Sequence, residues 1–305
     1  SCIFQDQKSD QIIVIDDCSE DATFEIANDV LKNFKGSKVL YKFENNNGGP
    51  AWSRNKGIDL CQCEYICFLD GDDIACSNRS KTIKTYLSKS NPDAIIHGLA
   101  ICNIDFKEKL IKNPFKATTC KGNNLTPTYF FKRFDHLSPG SSIVLKSSSA
   151  KHIRFSEDKR IIAGEDKEIL YRISLKGLIV NSMREILIIY NCTDKKGLNP
   201  NSSNEHITSP SNAMNIISFY KSNYLQGKFY SQVELMLLTA IARENGIIKL
   251  LKDSKIYNLS QKIKILITFF LKVWSKIYFF ILNRYITNKI LKKTLKSKIK
   301  NFTIV

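Results

Sequence analysis

Asp70-Gly71-Asp72-Asp73 places three carboxylates within four residues. Like charges packed this closely are unfavourable unless a cation or hydrogen-bond donors balance them. Oxygen ligands on a tight turn suit Mg²⁺ or Mn²⁺. Such an ion can neutralise a diphosphate and let it leave as an anion. A solvated acidic turn is the plain alternative. Two further acidic pairs are candidates for chemistry: Asp16-Asp17 after the apolar run QIIVI, and Glu165-Asp166 after Gly164. The second pair has the position of helix-capping acids, but a carboxylate whose pKa is raised by burial also serves as a general base. Arg54 adds a planar guanidinium able to grip phosphate or a base edge with two donors, which a lysine cannot do.

These residues need elements to hold them. Residues 11–15 form a short β-branched run with Asp16 and Asp17 at its carboxyl end, and YICFL at 65–69 runs into the Asp70 turn. Both read as buried strands. Ser19 is placed to cap the helix after the first strand. KVLYKF at 38–43 reads as a strand, about 51–61 and 78–89 as helices, and 94–101 as another strand. Strand and helix thus alternate at short spacing, which means βαβ units and a mostly parallel sheet. Ligands bind such sheets at the carboxyl ends of the strands, where both acidic clusters lie. Residues 104–140 read as loops and short hairpins, 141–147 as a strand, 164–175 as a helix and 178–190 as at least one more strand. Residues 193–212, rich in Asn, Ser and Pro, read as a linker.

The segments IIVIDDCSED (12–21), NNNGGPAWSRNKGID (45–59), YICFLDGDD (65–73), GSSIVLKS (140–147) and AGEDKEILYRI (163–173) occur in that order. Together they resemble the family 2 glycosyltransferases over about residues 1–190. The resemblance implies the GT-A fold, an α/β, Rossmann-like architecture with a mostly parallel sheet flanked by helices. It also implies inverting transfer from a nucleotide-sugar. By resemblance, Asp17 meets the nucleotide base with Asp16 beside it, and Arg54 lies near the nucleotide. Asp70 and Asp72 form the Asp-x-Asp motif: Asp72 is the metal ligand, Asp70 points toward the ribose or a metal-bound water, and Asp73 is a second possible ligand. Asp166 matches the general base and Glu165 its neighbour at the acceptor site. The family's opening strand has no counterpart before Ser1. The expectation is a domain short of roughly 25–35 residues, about one strand-plus-helix unit, and inactive or poorly folded without them.

The 305 residues carry 46 Lys and Arg against 29 Asp and Glu, a net charge of +17. Twelve of the basic residues lie from Lys255 onward, with no acid among them, which leaves only +5 on the rest. A composition with 43% hydrophobic residues excludes a disordered or collagen-like chain. Nine cysteines, an odd number, point to a reducing compartment. Cys61, Cys63 and Cys67 read as free thiols, His136 as a structural histidine with a place near the acceptor site as the alternative, and Trp52 as packing. In ILITFFLKVWSKIYFFILN (265–283) two lysines offset the apolar residues, at about 2.5–3.5 kcal/mol each against about −0.3 to −0.6 for each large apolar side chain. Lys264, Thr268, Lys272, Ser275 and Lys276 form a polar stripe on an amphipathic helix suited to an anionic membrane surface. Packing on the catalytic domain and a true span are the alternatives.

The sequence therefore leads to an expected organisation of a catalytic domain at 1–192, a linker at 193–212 and a helical, basic, membrane-associating region at 213–305. The expected activity is a manganese- or magnesium-dependent transfer from a nucleotide-sugar, a UDP-sugar above all, to a glycan or lipid-linked acceptor in surface polysaccharide biosynthesis. The expected location is cytoplasmic, peripheral at the inner face of the cell membrane. Two other readings stand beside it: transfer to polyprenyl phosphate, and a non-catalytic module binding membrane or nucleic acid through its basic tail. No nucleic-acid partner is expected, because no recognised nucleic-acid motif with interleaved aromatics is present.

Overall fold

The computed structural model describes residues 1–44, 48–105, 110–118, 122–127, 129, 140–161 and 164–191, together with 219 and 223. Apart from residues 219 and 223, the linker and the basic helical region expected beyond residue 192, including 265–283, lie outside the described residues, as does His136. Among the described residues no helix is long and apolar enough to cross a membrane. The chain divides into two compact units. The first holds Ser1–Glu157 and Gly164–Asp194 and carries every candidate site residue; Asp158–Ala163 belong to the second.

The first unit alternates strand and helix as the sequence pattern requires. β1 (Gln11–Asp16) leads to α1 (Thr23–Lys32), then β2 (Ser37–Lys42) and α2 (Pro50–Leu60). β3 (Tyr65–Cys67) and the two-residue β4 (Ile74–Ala75) flank the acidic turn. α3 (Arg79–Leu87) and the long β5 (Ala94–Asp105) follow, and β6 (Leu110–Thr118) folds back on β5. β7 (Ile143–Lys146), α4 (Ser147–Ile153), α5 (Glu165–Leu175) and β8 (Val180–Asn191) complete the unit. The expected cap at Ser19 is replaced. α1 starts at Thr23, whose amide is taken by Asp21 at 3.0 Å, while Ser19 donates its own amide to Asp16 at 2.8 Å.

β1 and β2 pair in parallel as a two-stranded sheet. The second sheet has the order β3-β7-β5-β8-β4, with β6 on β5. Its β5–β8 ladder is parallel, whereas β3–β7, β5–β7, β4–β8 and β5–β6 are antiparallel. The α/β fold stands, but the sheet is mixed, which corrects the expectation of a mostly parallel one. β7 accounts for two of the four antiparallel ladders: preceded by the Gly140–Ser142 turn, it lies between β3 and β5 and runs against both.

The core lies over this second sheet. Ile95 of β5, Val144 of β7, Met183 and Leu187 of β8 and Ile83 of α3 form one buried cluster. Ile169, Leu170 and Ile173 bury the inner face of α5. Such Ile and Leu side chains typically cost about 2–5 kcal/mol when cut to alanine. β1 has a smaller core in Ile12, Leu31 and Phe34. The rigid sheet thus fixes the strand ends from which the site is built.

Candidate active site

The first acidic strand end is closed by backbone. Asp16 is buried, and its Oδ1 accepts the Ser19 amide. Its Oδ2 lies 3.8 Å from Lys42 Nζ, beyond hydrogen-bond reach. Cys18 takes the left-handed conformation (φ 66°) that turns the chain away at this point. Asp17 Oδ2 accepts the amide of Gly49 at 3.2 Å, and its buried Oδ1 has no hydrogen-bond partner among the described residues. Burial raises the Asp17 pKa, the amides of Gly49 and Gly48 oppose the rise, and the charge of Asp16 adds to it. Gly49 has φ +80°, a left-handed conformation that suits glycine, and it opens α2 with Pro50 in its first turn. Trp52 packs against Gly48 and, edge-on, against Phe43, with half its surface exposed.

The second strand end is tied to distant parts of the chain. Arg54, one turn into α2, donates from Nη2 to Asp70 Oδ1 at 2.9 Å and from Nη1 to Glu165 Oε1 at 2.6 Å. Its guanidinium lies over the Phe155 ring, and a Cβ at Gly140 would come within 2.5 Å of it. Burial alone would lower the Arg54 pKa. The charges of Asp70 and Glu165 outweigh burial and raise it above the ordinary value. Two close carboxylates, Asp70 and Glu165, thus share the Arg54 fork.

The Asp70–Asp73 turn closes with the Asp73 amide donating to the Asp70 carbonyl at 3.1 Å. Ser141 Oγ accepts the Asp70 amide at 2.8 Å. Asp72 is exposed at the tip, and its pKa is raised by partial burial and then by the charge of Asp70. Asp73 points inward. Its Oδ1 accepts the Asn191 amide at 3.0 Å, and its buried Oδ2 has no hydrogen-bond partner among the described residues. Burial pushes its carboxyl up to about 7, against the hydrogen bonds from Ser141 and Asn191.

Asp166 sits in the first turn of α5, behind Gly164 in the left-handed conformation. It is buried, and its Oδ1 accepts the amide of Lys167 at 2.7 Å. Burial first, and the charge of Glu165 second, raise its pKa to about 6, while Lys167 and Arg54 pull the other way. A helix N-terminus would ordinarily lower it, so burial dominates. A carboxylate in this state is a better base than a solvated one.

The structure therefore brings Asp70, Arg54, Glu165 and Asp166 into one connected site, with Asp72 and Asp73 on the same turn as Asp70. It does not bond Asp16 or Asp17 to that group; they meet it only through α2. Sequence reasoning missed Ser141, Asn191 and Phe155. Ser141 was within reach, since it lies in a motif segment just before a strand. Asn191 binds Asp73 through its backbone amide, which no residue type signals.

No group of three or more His, Cys, Asp or Glu side chains among the described residues forms a closed metal cage. Two carboxylates on a turn nevertheless fit Mg²⁺ or Mn²⁺ where substrate phosphates and water complete the shell.

Residues 1–152 match the family described as Glycosyl transferase family 2. A glycosyltransferase of Haemophilus influenzae is 33% identical over 128 residues, covering 40% of this chain and 50% of that protein. The poly(ribitol-phosphate) beta-N-acetylglucosaminyltransferase TarP of Staphylococcus aureus is 34% identical over 86 residues, 28% of this chain and 26% of that protein. The chain thus spans about half, or less, of the length of these relatives. Among solved structures, S. aureus TarS 1-349 in complex with UDP-GlcNAc superposes with a TM-score of 0.56 at 19% identity, covering 88% of this chain and 74% of that one. GalNAc-T7 with UDP, GalNAc and Mn²⁺ gives a TM-score of 0.52 at 14% identity, covering 77% of this chain and 45% of that one. At such identities the likeness bears on the fold alone. The sequence match spans the segment that holds Asp16, Asp17, Arg54 and the Asp70–Asp73 turn, and by it the chain belongs to glycosyltransferase family 2.

Proposed function

We propose that the protein is an inverting, metal-dependent glycosyltransferase. It moves a sugar from a UDP-sugar to a hydroxyl of a growing glycan or lipid-linked saccharide in surface polysaccharide synthesis. The observation that carries this reading is the Arg54 bridge from Asp70 to Glu165, which joins the acidic turn to the helix bearing Asp166. A single-displacement transfer needs both parts at once: anion stabilisation on the leaving side and a base on the acceptor side.

In this proposal Asp17 holds the nucleobase through its unpartnered Oδ1, which is set to accept an imide N–H, with Asp16 bracing the turn. Asp72 is the metal ligand, Asp73 a second one, and Asp70 lies toward the ribose or a metal-bound water. Mn²⁺ or Mg²⁺ held there supplies charge neutralisation for the departing diphosphate. Asp166 takes the proton from the acceptor hydroxyl, and Glu165 holds Arg54 beside it. Crystal structures of TarS with UDP and UDP-GlcNAc, and of GalNAc-T7 with UDP, GalNAc and Mn²⁺, support this choice of donor and ion.

The proposal extends to the chain's organisation: residues 1–192 as the catalytic domain, 193–212 as a linker, and the basic region at 213–305 holding the enzyme at the inner face of the cell membrane, near a lipid-linked acceptor. The test uses the complete gene product against a panel of nucleotide sugars, with Mn²⁺ or with EDTA, recording donor hydrolysis. Turnover of one UDP-sugar that EDTA abolishes is the expected result. No turnover of any donor under any metal condition would overturn the proposal.

A further inference from the structure

Behind the acidic turn lies a buried cation to which the mechanism above gives no task. Arg79 opens α3 and is only 4% exposed. Its Nη2 donates to the carbonyls of Phe68 and Ser141, both at 2.8 Å, and its Nε donates to His97 Nε2 at 3.2 Å. His97 is fully buried, and its Nδ1 lies 3.0 Å from the Gly98 carbonyl. That arrangement fixes the tautomer: Nδ1 carries the hydrogen and Nε2 accepts from Arg79. Burial, and then the Arg79 charge, push the His97 pKa down to about 3, so the ring is neutral beside the guanidinium.

No carboxylate hydrogen-bonds Arg79 among the described residues. Burying a cation this way costs several kcal/mol, and an apolar side chain of similar volume would be cheaper. What guanidinium offers instead is a rigid planar fork with five donors. Here the fork grips both walls of the acidic turn. Phe68 is the last residue but one before Asp70. Ser141 belongs to the turn that enters β7, and its Oγ accepts the Asp70 amide. The Asp70 backbone is therefore located by two links that start at Arg79.

We propose that Arg79 is a positioning residue that sets the Asp70–Asp73 turn for its cation and diphosphate, acting through Phe68 and Ser141. This rests on the glycosyltransferase reading above and concerns the same site. Arg79 acts by geometry: a lysine in its place keeps the charge but cannot hold both carbonyls and His97 together.

The test uses the complete gene product with Arg79→Lys, Ser141→Ala and the double variant. Mn²⁺ affinity in the presence of UDP is read by electron paramagnetic resonance, and amide exchange of the peptide covering 68–75 is read by mass spectrometry. Each single variant is expected to weaken Mn²⁺ binding about tenfold or more, the usual scale for losing a supporting partner behind a metal ligand, and to speed exchange at 68–75. The double variant is expected to bind no more weakly than the worse single one, because the Ser141 link is one of the two that start at Arg79. Unchanged Mn²⁺ affinity in a folded Arg79→Lys protein, or losses that multiply in the double variant, would overturn the proposal. If Arg79→Lys does not fold, Ser141→Ala decides alone, and unchanged affinity there overturns it as well. A wild-type protein that binds Mn²⁺ and UDP while the variants do too defeats only this inference. A wild-type protein that binds UDP under no metal condition defeats the glycosyltransferase reading, and this inference with it.

Discussion

The two acidic strand ends of the domain are built in opposite ways. At the end of β1, Asp16 and Asp17 are balanced mainly by nearby amides, those of Ser19 and Gly49. At the end of β3, the Asp70–Asp73 turn is held by Arg54, Ser141 and Asn191, the last of them 118 residues from Asp73 in the chain. Each arrangement leaves buried carboxylate oxygens without hydrogen-bond partners among the described residues, Asp16 Oδ2 and Asp17 Oδ1 at the first and Asp73 Oδ2 at the second. The second couples the turn, through Arg54, to a carboxylate on another element. A perturbation at β1 should therefore stay local, and one at β3 should reach Asp166.

The largest expected effect breaks the coupled end. Arg54→Ala leaves Asp70 and Glu165 without their shared cation. Removing one member of a buried ion network costs about 3–5 kcal/mol. Asp70 keeps a third of its side chain exposed, so the lower end, about 3 kcal/mol, is expected in urea unfolding. Activity should fall with it, and Arg54→Lys should recover only part of either.

Next comes Asp166→Asn, which removes the proposed base and should lower transfer by about 10²–10⁴-fold. Polyprenyl-phosphate transfer, whose acceptor is already an anion, would leave activity largely intact. The same substitution should stabilise the fold. The Asp166 pKa is raised from 3.8 to about 6. Its folded form thus holds a proton that the unfolded chain has lost, and stability drops as pH rises across that window. Asn escapes this, so the gain in Tm of the variant over wild type should be larger at pH 7 than at pH 4. In the wild type, kcat/KM should rise with pH through about 6.

The local end gives smaller effects. Asp17→Ala should raise KM for the UDP-sugar by about 10–100-fold, the range for a hydrogen bond to a charged group, with the pH profile of kcat unmoved. Lys42→Met should cost only about 1 kcal/mol: it removes the hydrogen bond from Nζ to the Ser19 carbonyl at 2.7 Å, while the contact with Asp16 is 3.8 Å long and the amide of Ser19 already serves that carboxylate.

Legibility in the sequence followed the same division. The alternation of strand and helix was readable from β-branched runs and turn residues. The acids at the strand ends were readable because they follow those runs directly. The partners of the β3 end were not. Arg54 was visible as a guanidinium, but its bond to Glu165 joins residues 111 apart in sequence, and only the folded sheet brings them together. The antiparallel entry of β7 was hidden too, because a four-residue apolar strand reads the same in either direction.

The central claim is that the acidic turn and the base helix form one site through Arg54. A double-mutant cycle on transfer kinetics, with Asp70→Asn, Glu165→Gln and both together, tests it most directly. The double variant is expected to lose clearly less than the product of the two single losses. Losses that simply multiply would show two independent carboxylates and contradict it.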